Sequence, residues 1–311
     1  MDLVAALRRQ LGAERVRRDA PLAPLTTLRV GGPADILAEV RGSDEALAVL
    51  RLAREAGVPV SRLGGGSNVL VGDRGVRGLV LRWHGGQVTR PAPDRVRADA
   101  GVTINGLVRF TIGHGLAGLA EWAGTPGTVG GAIHGNAHFQ GRMISETVVS
   151  VRVATADGET RDLPASEMGF GYDRSRLQTS GELLLWAELR VVPGDPASLR
   201  DEARRSLAFR KRTQPLALPS AGCVFQNPDP ARGRLPEGMP ASAGALVDAA
   251  GLKGQACGAA RVSPVHANFV VNEGGASARD VASLIERMRA AVAERFGVTL
   301  EEEIVRLGEF A

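Results

Sequence analysis

Cysteine, tyrosine and long apolar runs are scarce in this 311-residue chain, and the scarcity excludes whole classes of protein. Two cysteines, Cys223 and Cys257, do not make the disulfide framework of a small secreted domain. The apolar run LLLWAELRVV is interrupted by Glu188 and Arg190, far short of a membrane-spanning helix. The first 18 residues lack the apolar core and cleavage site of a signal peptide. We therefore expect a cytoplasmic protein that does not bind membranes.

Aromatic residues make up only 4% of the chain, which bears on how its basic charge is interpreted. The net charge is +4 and the isoelectric point is about 9.8. The densest basic cluster, residues 204–212, has no platform of aromatic side chains for stacking on bases. A moderately basic protein with a small anionic substrate fits this charge as well. We expect no nucleic acid partner, and a non-catalytic basic binding module remains the alternative.

Order and periodicity along the chain predict an α+β fold. A strand with a turn at residues 31–33, a helix from Ser43 and a strand VPVSRL form a βαβ unit. A helix is predicted over 103–113, strands over GLVLRW, VTRPAP, RVRADAG, VVSVRVATADG and LLLWAELRVV, and an amphipathic helix near the C-terminus. The predicted divisions are an N-terminal helical segment (1–24), a two-part domain (25–193) and a smaller C-terminal domain (194–311).

Two glycine-rich segments, GGGSN and AGTPGTVGGAIHGNA, indicate a phosphate-binding site. Backbone N–H groups in such loops cradle anions because glycine lets the chain approach phosphate oxygens closely. The first segment is not a dinucleotide fingerprint, since Val69 stands where the third glycine belongs. Ordinary turns remain an alternative for either segment alone, whereas the two together favour a diphosphate.

Several motifs, found in order along nearly the whole chain, resemble one family. They are TLRVGGPAD, LGGGSNVLV, EWAGTPGTVGGAIHGNA, SAGCVFQNP, SAGALVDAAGLKG, RVSPVHANFVVN and LEEEIVRLG. The chain is similar to the UDP-N-acetylenolpyruvoylglucosamine reductases (MurB), of the second type that lacks a substrate-capping loop. The resemblance implies an FAD-binding half of the vanillyl-alcohol-oxidase type, non-covalent FAD, NADPH as reductant and a UDP-sugar substrate. It also implies that flavin N5 gives a hydride to the enolpyruvyl group, which yields UDP-N-acetylmuramate for peptidoglycan.

The resemblance implies three catalytic residues. Cys223 replaces the usual serine as proton donor, and a thiol preserves that role because it is protonated at neutral pH. Glu303 matches the second glutamate of the family's LExEV segment, which reads LEEEI here, with Glu301 as the alternative. The family pattern Gly-Tyr-Arg-x-Ser reads Gly-Tyr-Asp-Arg-Ser from residue 171, so Asp173 stands in the arginine position. Arg174 is the expected replacement, Arg176 is the reserve, and a changed substrate or activity is the third possibility.

The remaining implied site residues are contacts to cofactor and substrate. For FAD they are Gly64, Gly65, Gly66, Ser67, Asn68, Gly124, Pro126, Gly127, Val129, Gly130, Gly131, Ala132, Gly135 and Asn136. For the substrate they are Tyr172, Lys211, Gln226, Asn227 and His266, with Arg212 beside Lys211. We expect no metal at His134 and His138, a structural role for Cys257, and a monomer or weak dimer. Another FAD oxidoreductase of the same fold remains an alternative.

Overall fold

The structure is a computed structural model of the chain, and it describes residues 2–230 and 235–310. The helices are α1 Leu3–Leu11, α2 Ser43–Glu55, α3 Ile104–Gly113, α4 Val129–His134, α5 Leu177–Ser180, α6 Pro196–Thr213, α7 Ala243–Ala249 and α8 Ala278–Phe296. The strands are β1 Val16–Pro21, β2 Pro33–Val40, β3 Val60–Leu63, β4 Val69–Val71, β5 Val76–Trp83, β6 Val88–Ala92, β7 Arg95–Asp99, β8 Leu116–Ala117, β9 His138–Phe139, β10 Arg142–Met143, β11 Val148–Ala154, β12 Thr160–Pro164, β13 Leu183–Arg190, β14 Val192–Pro193, β15 Ser220–Cys223, β16 Ala256–Cys257, β17 Ala260–Val262, β18 Phe269–Asn272 and β19 Val305–Leu307.

The chain folds into two compact units, each assembled from separate stretches of sequence. Unit 1 takes in the chain up to Asp19, Asp35–Gly65 and Gly78–Phe209. Unit 2 takes in Ala20–Ala34, Gly66–Arg77 and the chain from Arg210 onward. The boundaries predicted from the sequence are continuous and therefore differ from these units. The interleaving has a physical cause, because β4 pairs in parallel with β19 and brings Val69 opposite Val305.

Unit 1 is built around a five-stranded sheet in the order β12-β11-β13-β7-β6, with every neighbouring pair antiparallel. Most of a second sheet, β1-β2-β5-β3, also belongs to this unit. The predicted βαβ unit is present as β2, α2 and β3, with β5 lying between the two strands and parallel to β3. The predicted third helix begins after Thr103, whose hydroxyl caps it by accepting the Gly106 N–H.

Unit 2 packs the sheet β15-β18-β17-β16 with α7 and α8 around one apolar core. Helix α8 begins with a capping box between Ser277 and Asp280 and ends at Gly297 in the left-handed conformation. Its predicted apolar stripe is buried at Val281, Leu284, Ile285, Met288 and Val292, and Phe296 packs at its edge. Among the helices of the described residues, none combines the length and hydropathy that crossing a bilayer requires.

The first predicted strand is shorter than expected, because it begins only at Pro33. Arg29 and Gly31 have φ values of 56° and 132°, which an extended strand does not allow. The carbonyl of Leu28 accepts a 3.1 Å hydrogen bond from the Asn272 side-chain amide instead of pairing in a ladder. Residues 28–32 are therefore an irregular loop within unit 2 and not part of the strand.

Candidate active site

The first glycine-rich segment, residues 64–68, directly follows β3 and touches the second segment through its backbone. A Cβ atom added to Gly65 would lie 2.6 Å from the Cα atom of Gly127, and one added to Gly64 would lie 2.5 Å from the Thr128 Oγ1 atom. Real Cβ atoms do not approach other atoms so closely, so both positions require glycine. Part of the glycine content that pointed to a ligand therefore serves the packing of one loop on the other.

Free backbone donors remain in the first segment. The N–H groups of Gly65, Gly66 and Ser67 donate no hydrogen bond to any residue that the structure describes. Those of Val129 and Gly130, in contrast, donate to the carbonyls of Val102 and Ala100 at 2.8 Å. Successive unpaired N–H groups in a glycine turn match the acceptor oxygens of a diphosphate. The residues present thus fit the phosphate portion of FAD. The first segment contributes more to this fit, because its backbone N–H groups are the ones left unpaired by the described residues.

Asn136, at the end of the second segment, has a structural role. Its side chain is fully buried; Nδ2 donates to the Gly171 carbonyl at 2.7 Å, and Oδ1 accepts the Ser145 N–H at 3.1 Å. Ser175 adds a 2.7 Å hydrogen bond from its hydroxyl to the His134 carbonyl. These bonds fix the turn Gly171–Arg174 against the end of α4. Because both ends of the Asn136 amide are used, only its backbone stays a predicted contact to the cofactor.

The turn Gly171–Arg174 places Tyr172 and Asp173 beside His138. The Asp173 Oδ1 atom lies 2.9 Å from His138 Nδ1, and the Tyr172 hydroxyl lies 3.4 Å from His138 Nε2. The two rings pack with centroids 4.7 Å apart. Tyr172 is 40% exposed, whereas Asp173 is buried. Sequence reasoning weighed His138 only as a metal ligand and missed this cluster, because its members lie far apart along the chain.

The two arginines considered as replacements at this turn differ sharply in environment. Arg176 pairs with the buried carboxylate of Glu182 at 2.9 Å and donates to the Glu167 carbonyl. Burial acts to raise the pKa of Glu182, but hydrogen bonds from Ser180 and Arg176 lower it overall. Arg174 is exposed, and its guanidinium makes no hydrogen bond or ion pair within the described part of the chain. Arg176 therefore stabilises the fold, and Arg174 is the arginine available to a ligand.

In unit 2, Cys223 is the last residue of β15, opposite Phe269 of β18. The register between these strands shifts between Ser220 and Cys223, and Gly222 within the shift has a φ of 83°. A bulge of this kind redirects the following side chain, and a positive φ favours glycine there. Cys223 is half-buried and its sulfur forms no disulfide, as is true of Cys257.

The acidic run Glu301–Glu303 lies alongside the segment that follows Cys223. The Gln226 N–H donates to the Glu301 carbonyl and the Glu303 N–H donates to the Val224 carbonyl. The middle residue, Glu302, forms ion pairs with Arg289 and with Arg306, the latter at 2.8 Å. Side chains alternate along an extended chain, so Glu302 points one way and its two neighbours point the other.

Within this run, Glu303 pairs with the residue nearest to Cys223 in the chain. Its N–H bonds to the carbonyl of the residue after Cys223, at 2.8 Å. Its own carbonyl accepts a hydrogen bond from the Asn68 side-chain amide at 3.0 Å. Glu301 is exposed and Glu302 is held by two arginines, so the local geometry favours the assignment of Glu303 over its neighbours.

Two of the predicted substrate contacts in unit 2 also have structural roles. The Asn227 side-chain oxygen accepts the N–H of Ala243, the first residue of α7, at 3.0 Å. His266 accepts the Asn268 N–H at its Nδ1 atom and packs its ring on Phe269. Burial, and then the charge of Lys253, lower the pKa of His266.

The other predicted contacts in unit 2 lie at or near the end of α6 and after β15. Lys211 is exposed on the last turn of α6, and Gln226 is half-buried and held by its backbone N–H. Arg210 precedes Lys211 and was not predicted as a site residue from the sequence. In the structure it is only 5% exposed, which is unusual for an arginine. Burial lowers the pKa of Arg210 to about 10. Arg210 therefore remains charged at neutral pH in a desolvated position.

Comparisons with known proteins agree with the motifs. Residues 34–164 match the model of an FAD binding domain, and residues 214–307 match the UDP-N-acetylenolpyruvoylglucosamine reductase C-terminal domain. A UDP-N-acetylenolpyruvoylglucosamine reductase of Anaeromyxobacter dehalogenans strain 2CP-1 is 46% identical over 305 residues, which is 96% of this chain and 88% of that protein. The chain belongs to the UDP-N-acetylenolpyruvoylglucosamine reductase family.

Two further relatives extend this similarity over almost the full chain. The reductase of Myxococcus xanthus strain DK1622 is 41% identical over 312 residues, covering 99% of this chain and 97% of that protein. The crystal structure of the reductase from Thermus caldophilus is 33% identical, with a TM-score of 0.76, and covers 94% of this chain and 99% of that one. The predicted family, its two-part flavin fold and FAD as cofactor are thereby confirmed. The individual site residues stay predictions.

Proposed function

We propose that this member of the reductase family reduces UDP-N-acetylglucosamine enolpyruvate to UDP-N-acetylmuramate, with FAD bound and NADPH as reductant. The observation that carries the proposal is the backbone pairing of Glu303 with the residue after Cys223, at 2.8 Å. It brings a carboxylate-bearing segment and a thiol-bearing segment side by side in unit 2. Reduction of an enolpyruvyl ether needs a proton donor to carbon and a group that supports the developing enolate.

Cys223 is the proposed proton donor. Bound FAD would supply the hydride-transfer chemistry between NADPH and the enolpyruvyl methylene carbon. The adjacent carbon then takes the Cys223 proton, the thiolate regains a proton from solvent, and the C=C bond becomes a C–C single bond. The glycine-enforced bulge at Gly222 would hold the sulfur in one direction. The half-buried position keeps the thiol accessible to a bound substrate.

The substrate carboxylate needs positive charge or hydrogen-bond donors around it as the enolate forms. The exposed Arg174 guanidinium is the predicted arginine for this role, which is consistent with the absence of any ion pair between it and the residues that the structure describes. Lys211 and Arg210 are the cations proposed for the diphosphate. The UDP-sugar is the proposed partner of a cytoplasmic enzyme that is a monomer or weak dimer and does not bind nucleic acid.

A single-turnover experiment tests this function directly. The FAD-loaded protein is reduced anaerobically with one equivalent of NADPH and then mixed with UDP-N-acetylglucosamine enolpyruvate. We expect the flavin absorbance near 450 nm to return and UDP-N-acetylmuramate to appear in equal amount. UDP-N-acetylglucosamine, which lacks the double bond, is the matched control and should leave the flavin reduced. Reoxidation by neither compound would contradict the proposal and point to another flavin enzyme of this fold.

A further inference from the structure

A buried carboxylate stands where the family resemblance predicts a cation. The side chain of Asp173 is only 7% exposed, and its φ of 50° lies in the left-handed region. The Gln178 amide donates to the Asp173 carbonyl at 2.9 Å and helps to hold this conformation. An uncompensated carboxylate here would repel a substrate carboxylate. The negative charge of Asp173 must therefore be balanced by a neighbouring group for the proposed reaction to proceed.

The compensating group in unit 1 is His138. A buried carboxylate is stable only beside a cation or hydrogen-bond donors, and the His138 Nδ1 atom lies 2.9 Å from Asp173 Oδ1. The second carboxylate oxygen, Oδ2, is buried and accepts no hydrogen bond from the described residues. His138 is thus the neighbour that balances the charge of Asp173 when its imidazole is protonated.

The Asp173–His138 pair also contacts Tyr172, a side chain that is partly exposed to solvent. With Nδ1 committed to Asp173, the other ring nitrogen of His138 faces the Tyr172 hydroxyl at 3.4 Å. Tyr172 is packed on the imidazole and remains 40% exposed. The order Asp173, His138, Tyr172 therefore runs from a buried carboxylate to a partly exposed tyrosine side chain. A histidine oriented by a carboxylate on one nitrogen presents the other in a fixed direction.

We propose that the Asp173–His138 pair adds a second element to the carboxylate site for which Arg174 is the proposed arginine, with the His138 imidazolium and the Tyr172 hydroxyl binding the substrate carboxylate. Asp173 is then a positioning residue, which acts only through His138. This inference rests on the proposed function and adds a specificity determinant to it. The ligand class it recognises is a carboxylate attached to a UDP-sugar.

Substitution of Asp173 distinguishes two possible effects of this carboxylate, because they change the affinity for substrate in opposite directions. If Asp173 merely repels the substrate carboxylate, then Asp173→Asn removes a negative charge and tightens binding. In our proposal Asp173→Asn removes the counter-ion of His138 and weakens binding. We expect Asp173→Asn and His138→Gln each to raise the Kd for UDP-N-acetylglucosamine enolpyruvate by about 10- to 100-fold, the range for a charged hydrogen bond.

The Kd is measured on the oxidised holoenzyme by the shift in flavin absorbance, with and without the carboxylate-bearing group on the ligand. UDP-N-acetylglucosamine, which lacks that group, should bind both variants as it binds the unchanged protein, within about 2-fold. The exposed His84 provides a matched control, and His84→Gln should change neither Kd. A structural role would instead weaken both ligands together, along with flavin content.

The outcomes separate this inference from the function on which it rests. Selective loss of affinity for the enolpyruvyl ligand in both variants is the expected result. Tighter binding by Asp173→Asn, unchanged binding, or equal loss for both ligands would overturn the inference while leaving the proposed function intact. Failure of the unchanged holoenzyme to bind or reduce the enolpyruvyl ligand would overturn the function itself.

Discussion

The side-chain amide of Asn68 donates a 3.0 Å hydrogen bond to the main-chain carbonyl of Glu303. The Val305 N–H returns a 3.1 Å bond to the Asn68 carbonyl. The first glycine-rich segment, predicted to bind FAD, is thus tied to the segment that carries the proposed catalytic carboxylate. Asn68 and Glu303 both lie in unit 2, where β4 and β19 continue the same pairing.

Replacement of Asn68 tests this connection. Asn68→Ala removes the donor and should destabilise the folded protein by about 1 kcal/mol. Asn68→Asp sets a carboxylate oxygen against the Glu303 carbonyl and should cost more. Urea unfolding of the holoenzyme measures the difference. Equal stability of the alanine and aspartate variants would contradict the hydrogen bond as described.

Glu302 and Glu303 offer a matched pair of carboxylates with different expected roles. Glu303→Gln should slow flavin reoxidation by substrate about 100-fold, the scale for loss of one acid–base group, without much change in stability. Glu302→Gln should leave that rate unchanged within a few fold. It should destabilise the protein, because burial opposes its charge and Arg306 and Arg289 compensate for it. Rapid-mixing absorbance and urea unfolding give the two readouts. The reverse pattern would shift the assignment away from Glu303.

Cys223→Ser should retain the reaction with a changed pH profile. An ordinary thiol loses its proton near a pKa of about 8.5, whereas a hydroxyl keeps it throughout the accessible range. We therefore expect the serine variant to be slower at neutral pH and to lose less activity above about pH 8.5. Cys223→Ala should lower substrate reduction about 100-fold or more. A serine variant as inactive as the alanine variant would contradict the donor role.

Arg174 and Arg176 separate a ligand-binding arginine from a structural one. Arg174→Ala should slow substrate reduction strongly while leaving flavin reduction by NADPH and unfolding free energy unchanged. Arg176→Ala should lower the unfolding free energy by about 1–3 kcal/mol, because the buried Glu182 loses one ion pair and keeps the other, with the more exposed Arg161. The two half-reactions are followed separately by flavin absorbance. If Arg176→Ala shows the kinetic defect instead, our alignment of the turn is wrong.

His266 gives a pH-dependent contribution to stability. Burial and Lys253 lower its pKa in the folded chain, so the unfolded chain binds a proton more readily. Stability is therefore highest above the ordinary histidine value of about 6.5 and falls as the pH drops below it. His266→Asn should reduce the loss of unfolding free energy between about pH 7.5 and pH 5.5 by up to about 1 kcal/mol. His84→Gln is the control, and equal losses in both variants would contradict the prediction.

The sequence predicted those features that are local in the chain. The helix beginning at Thr103 and the apolar stripe of α8 follow from capping residues and periodicity over a few turns. The register of the last motif predicts Glu303, with Glu301 as the alternative. The segment that pairs with this run lies far away in the chain, directly after Cys223, so the motif by itself could not show that the Glu303 N–H bonds to the Val224 carbonyl.

The features that escaped prediction depend on contacts between distant residues. Gly65 is needed because Gly127 packs on it, which no local pattern reveals. His138 and Asp173 are 35 positions apart and meet only through the turn held by Asn136. Taken separately, His138 is a histidine without an assigned role, and Asp173 is an acid at a position where the family has arginine. Together they form a compensated pair.

Steady-state NADPH oxidation shows whether the protein reduces an enolpyruvyl UDP-sugar with electrons from NADPH. The FAD-loaded protein is mixed with NADPH, and absorbance at 340 nm is followed before and after UDP-N-acetylglucosamine enolpyruvate is added. We predict slow oxidation before the addition and rapid oxidation after it, with one NADPH consumed for each UDP-N-acetylmuramate formed. A protein that binds FAD but oxidises NADPH at the same rate with and without this substrate would contradict the proposed reaction and indicate that Asp173 serves a different one.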